Sequence, residues 1–175
     1  MKLIGISGKK QSGKDTVADI IKCVMLNKGV LCERHGFADA LKSEIAEATG
    51  LTLAYMEQRK DVFRTIYQWW GTDFRRNLFG KDYWLKLMDD YLFQHEDEDV
   101  LILIPDVRFS NEATHIHKLG GRVIRISRIT TADDKHPSET ELTDDNFPYN
   151  HTIVNDGTLD DLEQNVLKML NKFKY

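Results

Sequence analysis

The chain has 175 residues, of which 41% are hydrophobic and 30% are charged, and its formal net charge is −4. This length fits one domain with one sizeable core better than two domains. The acidic balance excludes a general attraction to nucleic acid polymers, and the sequence has neither a cleavable apolar leader nor a run of about 20 apolar residues. We therefore expect a single domain, 1–175, in the cytoplasm, with neither a polymer nor a membrane as partner.

The cysteine content is low, with Cys23 and Cys32 alone. Two cysteines are too few for a disulfide framework or a four-ligand zinc site. We predict that both are buried structural thiols in a reducing compartment.

The chain begins with the pattern of a strand, a glycine loop and a helix. Residues 2–7 form a short apolar run that ends at Gly8, which is typical of a buried strand entering a tight turn. Apolar residues then recur at helical spacing, which predicts a helix over 16–27 that ends at Gly29.

The middle of the chain reads as mainly helical. We predict a strand over 30–37, a helix over 40–49, and helical structure over 55–94 that Gly71 splits. The apolar positions expected on one face of this helical region are Val62, Ile66, Trp69 or Trp70, and Phe74.

The remaining elements alternate between strands and helices. Five apolar residues in a row, 100–104, predict a central parallel strand that is covered on both faces. The other predictions are a helix over 111–119, a strand over 122–127, a lid loop over 129–150, a strand over 151–154 and a C-terminal helix after a Thr158–Asp161 capping box. This alternation predicts an α/β fold with a five-stranded parallel sheet flanked by helices, and ligands at the carboxyl ends of its strands.

The segment GKKQSGK, 8–14, has the glycine spacing and the lysine of a Walker A loop. Its glycines let successive backbone N–H groups face one anion, the following helix contributes its positive dipole end, and the Lys14 ammonium can follow the β- and γ-phosphates. The residues that we assign to the nucleotide here are Gly8, Lys9, Ser12, Gly13, Lys14, Asp15 and Thr16.

The loop departs from the common pattern at Asp15, which replaces the usual hydroxyl residue, and the hydroxyl follows at Thr16. Two arrangements of Mg²⁺ remain open: Thr16 contacts a phosphate while waters hold the ion, or Asp15 helps to hold it. Asp15 could equally be a favourable charge in the first helical turn. Asp15, Thr16 and Asp106 are the metal candidates, with contact through water included.

The segment 7–16 resembles the P-loop of phage-type deoxynucleoside monophosphate kinases. The likeness continues in the segments FADALK 37–42, QWWGTDFR 68–75, DVRFSNE 106–112 and VNDGT 154–158, and KHPSE 135–139 resembles the lid of that family. The resemblance implies a P-loop kinase fold with a helical acceptor-binding region at about 52–97 and a lid at about 129–150. It also implies ATP with magnesium as the donor, a deoxynucleoside monophosphate as the acceptor, and the host cytoplasm if a phage encodes the chain.

Phosphoryl transfer depends on holding two anions in line while cations neutralise the developing charge, so arginines are the candidates to find. Arg108 follows the central strand and could hold the acceptor phosphate, while Asp106 orients magnesium or caps the next helix. Arg128, at the start of the lid, is assigned to the transition state, and Arg125 to the nucleotide. Lys14, Asp106 and Arg128 are thus the catalytic candidates.

The remaining candidates concern the adenine and the acceptor. Asn155 and Gly157 follow the last strand, where they contact adenine or form a plain helix-entry turn. Within a basic helical segment we favour Arg64 and Arg75, and Trp70 either stacks on a base or belongs to the core. The full set assigned to the acceptor is Asp39, Lys42, Arg64, Trp70, Thr72, Arg75, Arg108 and Glu112.

Two other function classes stay open. Animal phosphomevalonate kinases share a similar Ser-Gly-Lys-Asp loop, and a dephospho-coenzyme A kinase would also share the donor site. A slowly hydrolysing nucleotide switch ranks lower because the sequence lacks a guanine-reading Asn-Lys-x-Asp element after a late strand. The base accepted, the preference for deoxyribose and the formation of a homodimer are left open.

Overall fold

The computed structural model describes residues 1–129, 136–142 and 147–175. The described residues form five parallel strands in the spatial order β2-β3-β1-β4-β5. The strands are β1 Lys2–Ser7, β2 Leu31–Arg34, β3 Val100–Val107, β4 Arg122–Ser127 and β5 His151–Val154. The predicted α/β fold with a five-stranded parallel sheet flanked by helices is confirmed.

The helices fill the segments between the strands. They are α1 Lys14–Asn27, α2 Phe37–Thr49, α3 Leu53–Gln58, α4 Lys60–Gln68, the π-helix Trp69–Arg76, α5 Asn77–Phe79, α6 Tyr83–Gln94, α7 Ser110–Lys118, α8 Pro137–Thr140 and α9 Leu159–Phe173. The capping box before α9 is present, because Thr158 and Asp161 each accept a hydrogen bond from the other's backbone N–H.

The chain divides into two compact units. The first unit, residues 1–35 with 95–175, contains the sheet together with α1, α7, α8 and α9. The second unit, residues 36–94, is helical and contains the elements from α2 to α6. The predicted helical region at about 52–97 corresponds to most of the second unit, and the arrangement as one domain stays a prediction.

The core of the first unit lies on both faces of the sheet. On one face, α1 and α9 pack over Ile4, Ile6 and Leu103, which are all fully buried. On the other face, α7 packs against β1 and β4 through Ile116. Burial on both faces explains the unbroken apolar run at 100–104 in β3, and it leaves the carboxyl ends of the strands available for a site.

Several local predictions were wrong. β3 continues to Val107, so Asp106 lies inside the strand and not after it. The predicted break at Gly71 is absent, since the π-helix runs through that residue and the chain turns at Gly80, where φ is 108°. Cys23 is exposed, although Cys32 is buried as expected, and burial raises the pKa of the Cys32 thiol to about 11.

The apolar face predicted for the helical region is also wrong, because three of its members are exposed: Val62, Ile66 and Trp69. The predicted lid, 129–150, falls partly outside the described residues, and its described part includes α8. No helix in the described ranges has the length and apolarity to cross a bilayer.

Candidate active site

The loop between β1 and α1 has the backbone geometry of an anion-binding turn. Gly8 and Gly13 have φ angles of 151° and 98°, which residues with a side chain rarely adopt. A Cβ atom on Gly13 would lie 2.4 Å from Asn155 Nδ2, so the loop and Asn155 are in close contact. Asn155 Nδ2 donates to the Ser12 carbonyl oxygen over 2.8 Å in a buried hydrogen bond. The turn after β5 therefore braces the glycine loop.

Lys14 is buried at the start of α1, and its ammonium lies against the loop itself. Its Nζ donates to the carbonyl oxygens of Gly8 and Lys9 over 2.7 and 2.8 Å. Burial, with a further contribution from the nearby Arg108 guanidinium, lowers the pKa of Lys14 from 10.5 to about 8. A buried cation inside a ring of backbone groups is suited to bind a polyphosphate.

A carboxylate lies beside the same loop. Glu139, on α8, accepts a hydrogen bond from the backbone N–H of Lys10 over 3.0 Å and forms an ion pair with Arg108 Nη1 at 2.6 Å. The space between these groups and β1 is a cavity of about 10 Å³. Sequence reasoning did not assign a role to Glu139, although the resemblance of 135–139 to a family lid pointed to its segment.

The other arginines predicted near the loop differ in their environment. Arg125 is buried in β4, where its Nη1 donates to the Leu142 carbonyl oxygen over 3.1 Å and approaches the Tyr149 hydroxyl. It thus connects the strand to the chain after α8. Arg128 is exposed just beyond the end of β4. Their predicted contacts with nucleotide and transition state stay predictions.

The acidic candidates have protein partners. Asp15 Oδ1 forms an ion pair with Arg34 Nη2 at 2.7 Å on the exposed side of α1, in line with the interpretation as a first-turn charge. Glu112 is buried and accepts from the backbone N–H groups of Arg108 and Phe109, so its carboxylate caps α7. Its predicted contact with the acceptor, and the metal role of Asp15, stay predictions.

The described residues contain no cluster of three or more His, Cys, Asp or Glu side chains suited to a metal ion. Asp106 is half-buried near the carboxyl end of β3, and Thr16 is exposed in the first turn of α1. This donor set fits Mg²⁺, which keeps several waters and binds through one or two carboxylates and substrate phosphates.

In the second unit, two acceptor candidates converge on one carboxylate. Glu44 of α2 accepts from Trp70 Nε1 over 2.9 Å, from Arg75 Nε over 2.7 Å and from the Tyr83 hydroxyl. Partial burial favours the protonated form, but the hydrogen bonds from these partners outweigh it and hold the pKa of Glu44 below its usual 4.5. Nothing in the sequence distinguishes Glu44 from the other glutamates in the predicted helices.

The remaining acceptor candidates lie elsewhere in the same unit. Asp39 and Lys42 line a cavity of about 340 Å³ between α2 and α3, where Lys42 pairs with Glu57 at 3.2 Å. Thr72 is buried in the π-helix, and Arg64 is half-buried in α4.

Gly157, which was assigned to the nucleotide, lies in the first unit. Together with Asn155 it lines a separate cavity of about 310 Å³.

Comparison with known proteins decides between the open families. A family model described as deoxynucleotide monophosphate kinase matches residues 51–166. The chain belongs to the deoxynucleotide monophosphate kinase family. This kinase is 30% identical over 196 aligned positions to a relative from Acanthamoeba polyphaga mimivirus with the same family description, over 98% of the chain and 97% of the relative.

The kinase is also 31% identical to the deoxynucleotide monophosphate kinase of Enterobacteria phage T4, over 97% of the chain and 100% of the relative. That alignment runs over 250 positions against 175 residues here, so the phage relative has segments that this kinase lacks. The APS kinase CysC of Mycobacterium tuberculosis, solved with AMPPNP and APS, has a TM-score of 0.58 at 14% identity over 97% of each chain. This likeness shows that the kinase has the P-loop kinase fold.

Proposed function

We propose that this kinase transfers the γ-phosphoryl group of ATP to a deoxynucleoside monophosphate, giving the diphosphate and ADP. The observation that carries the proposal is the glycine loop between β1 and α1, with the Lys14 ammonium buried against it. Membership of the family supports the choice of acceptor.

The donor would bind in the loop at the start of α1. The loop N–H groups and the helix dipole favour the phosphates, and Lys14 gives up its bonds to Gly8 and Lys9 to contact them. Asn155 Nδ2 donates to the Ser12 carbonyl oxygen and would hold the loop in position for the phosphates. Lys9, Thr16 and Gly157 are proposed as further donor contacts.

Magnesium, when bound with ATP, would neutralise charge on the phosphates, and Asp106 with Thr16 and Asp15 would hold it directly or through water. Around the reacting phosphates, this chain supplies positive charge. Arg108 lies beside the loop and is proposed to hold the acceptor phosphate, and Arg128 to stabilise the transferring group.

The second unit is proposed to bind the nucleoside of the acceptor. Trp70 and Arg75 are held by Glu44, which fixes an aromatic face and a guanidinium on one surface. The further acceptor contacts proposed there are Asp39, Lys42, Arg64 and Thr72, and Glu112 is proposed from the first unit. We propose the cytoplasm, of the host for a phage-encoded chain, as the place of action, and a homodimer remains open.

Product analysis tests this function directly. The purified kinase is incubated with ATP, Mg²⁺ and each of the four deoxynucleoside monophosphates, with phosphomevalonate in a parallel reaction and Lys14→Ala as the matched inactive control. We expect a diphosphate product from at least one nucleotide and none from phosphomevalonate. Phosphorylation of phosphomevalonate alone, or ATP hydrolysis with no acceptor product, would contradict the proposal.

A further inference from the structure

The side chain of Glu139 is engaged by the glycine loop. It extends from α8 and is 6% exposed, and both of its carboxylate oxygens have partners. Oε2 accepts from the Lys10 backbone N–H at 3.0 Å, and Oε1 lies 2.6 Å from Arg108 Nη1. Arg108 Nη1 also reaches the Ser138 carbonyl oxygen at 3.4 Å. A buried carboxylate is therefore bound between a loop amide and an arginine.

The Lys10 N–H belongs to the loop whose amides are suited to bind phosphate oxygens. A carboxylate oxygen offers such an amide the same chemistry as a phosphate oxygen, since both are anionic acceptors. The positive groups around it are those that the reaction would use, because Arg108 pairs with Glu139 and the buried Lys14 lies close by.

The space next to Glu139 does not admit a phosphate. The cavity lined by Gly8, Lys9, Arg108 and Glu139 is about 10 Å³, which is room for one water molecule. Because the Lys10 N–H already donates to Glu139 Oε2, a terminal phosphate at that amide requires the carboxylate to move away.

We propose that the Glu139 carboxylate is an internal competitor for the terminal phosphate of ATP, and that its displacement from the Lys10 amide frees Arg108 for the acceptor phosphate. This inference rests on the proposed function of the loop as the ATP site and deepens it. Because the γ-phosphate is the group that competes, a nucleoside diphosphate binds without displacing Glu139. Donor and acceptor binding are then coupled, since the triphosphate releases the arginine that the acceptor uses.

Titration calorimetry tests the competition. The binding of AMPPNP and ADP is measured for the wild type, Glu139→Ala and Glu139→Gln. The control is Glu141→Gln, which removes the same charge from an exposed residue two positions further on that bonds the Ser110 N–H. We expect the Kd of AMPPNP to fall about tenfold in Glu139→Ala and by less in Glu139→Gln, with the Kd of ADP within about twofold of wild type. Glu141→Gln should match the wild type for both nucleotides.

An AMPPNP Kd that is unchanged or higher in the folded Glu139 variants overturns the inference, as does an equal decrease for ADP. Glu139→Gln keeps the size of the side chain, so it provides the test if Glu139→Ala does not fold. The two proposals fail in different ways. If folded wild-type protein binds neither nucleotide, both the ATP site and the inference are rejected. If the wild type binds nucleotide but the variants keep its ratio of AMPPNP Kd to ADP Kd, the inference alone is rejected.

Discussion

The Lys14 ammonium is held by the two carbonyl oxygens that open the glycine loop, Gly8 O and Lys9 O, within 2.8 Å. A phosphate oxygen can take the place of these neutral carbonyl acceptors, and because it is charged it is the stronger acceptor. The lysine is thus positioned in advance, and we propose that phosphoryl transfer depends on it more than on any other residue of the loop.

Replacing Lys14 with alanine should lower kcat by at least about 100-fold, because a preorganised cation at the transferring phosphates is lost. Steady-state kinetics measures the change, and circular dichroism checks that the fold is retained. The matched control is Lys172→Ala, at an exposed position on α9, which should keep wild-type kinetics. A folded Lys14→Ala enzyme with normal turnover would contradict the assigned role.

Because burial lowers the pKa of Lys14 to about 8, we expect nucleotide binding to depend on pH. The charged form binds the triphosphate, so affinity should be highest below pH 8 and fall as the pH rises and the lysine loses its proton. Calorimetry between pH 7.5 and 9.5 should show the Kd of AMPPNP rising by up to about tenfold per pH unit above 8, with proton uptake on binding. Lys14→Met should lack this dependence, and its persistence there would assign the titration to another group.

The brace from Asn155 gives a further test at one residue. Asn155→Ala removes the donor to Ser12 O, so the loop loses a fixed orientation and the KM for ATP should rise about tenfold, equivalent to ~1.4 kcal/mol. The KM for the acceptor should change little. Asn171→Ala, on the exposed side of α9, is the control. An unchanged KM for ATP would show that the brace is dispensable.

At the residue scale, the sequence predicted those parts of the site whose residues are contiguous along the chain. The loop 8–14 could be recognised because its function requires glycines and a lysine at fixed spacing. Glu139 and the Asn155 brace could not be derived in the same way, since they contact the loop from 129 and 143 positions away along the chain. Such contacts are set by the fold and leave no local pattern.

Among the elements, the second unit depends on the cluster around Glu44. Three donors, from Trp70, Arg75 and Tyr83, meet this one carboxylate, and the Arg75 guanidinium also stacks near the rings of Phe74 and Tyr83. The cluster links α2 to the π-helix and to the start of α6.

Glu44→Gln should lower the free energy of unfolding by about 1–3 kcal/mol at pH 7, because three partly buried donors lose a charged acceptor. The pKa of Glu44 is lowered in the folded state, so this stabilisation is present above pH 4.5 and is lost as the pH falls through the folded-state value. Urea unfolding of wild type and variant at pH 7 and at pH 3 measures both effects. Glu47→Gln, exposed on the same helix, is the control, and an equal loss in it would contradict the account.

Elements of the first unit were predicted better than those of the second. β1, β4 and β5 have the expected bounds, since short apolar runs between turn residues have few alternatives. The π-helix Trp69–Arg76 was not foreseen, because Gly71 is a helix breaker by propensity. Trp84 Nε1 donates to the Gly71 carbonyl oxygen, and such a tertiary bond overrides the local preference.

For the whole molecule, the alternation of strands and helices predicted a parallel sheet. Because ligands bind at the carboxyl ends of parallel strands, it also predicted that the glycine loop, Asp106 and Arg108 lie at that end of the sheet. The order β2-β3-β1-β4-β5 places β1 between β3 and β4, so the loop after β1 lies at the point where the connections diverge. Composition and pattern did not separate residues 36–94 as a compact unit, because its helices pack through a partly buried polar cluster as well as through apolar faces.

A crystal structure with AMPPNP, Mg²⁺ and a deoxynucleoside monophosphate tests the central claim most directly. The account predicts the terminal phosphate within hydrogen-bond distance of the Lys10 and Gly13 amides and of Lys14 Nζ, with the acceptor phosphate on Arg108. A nucleotide bound elsewhere, with Lys14 still bonded to Gly8 and Lys9, would contradict it.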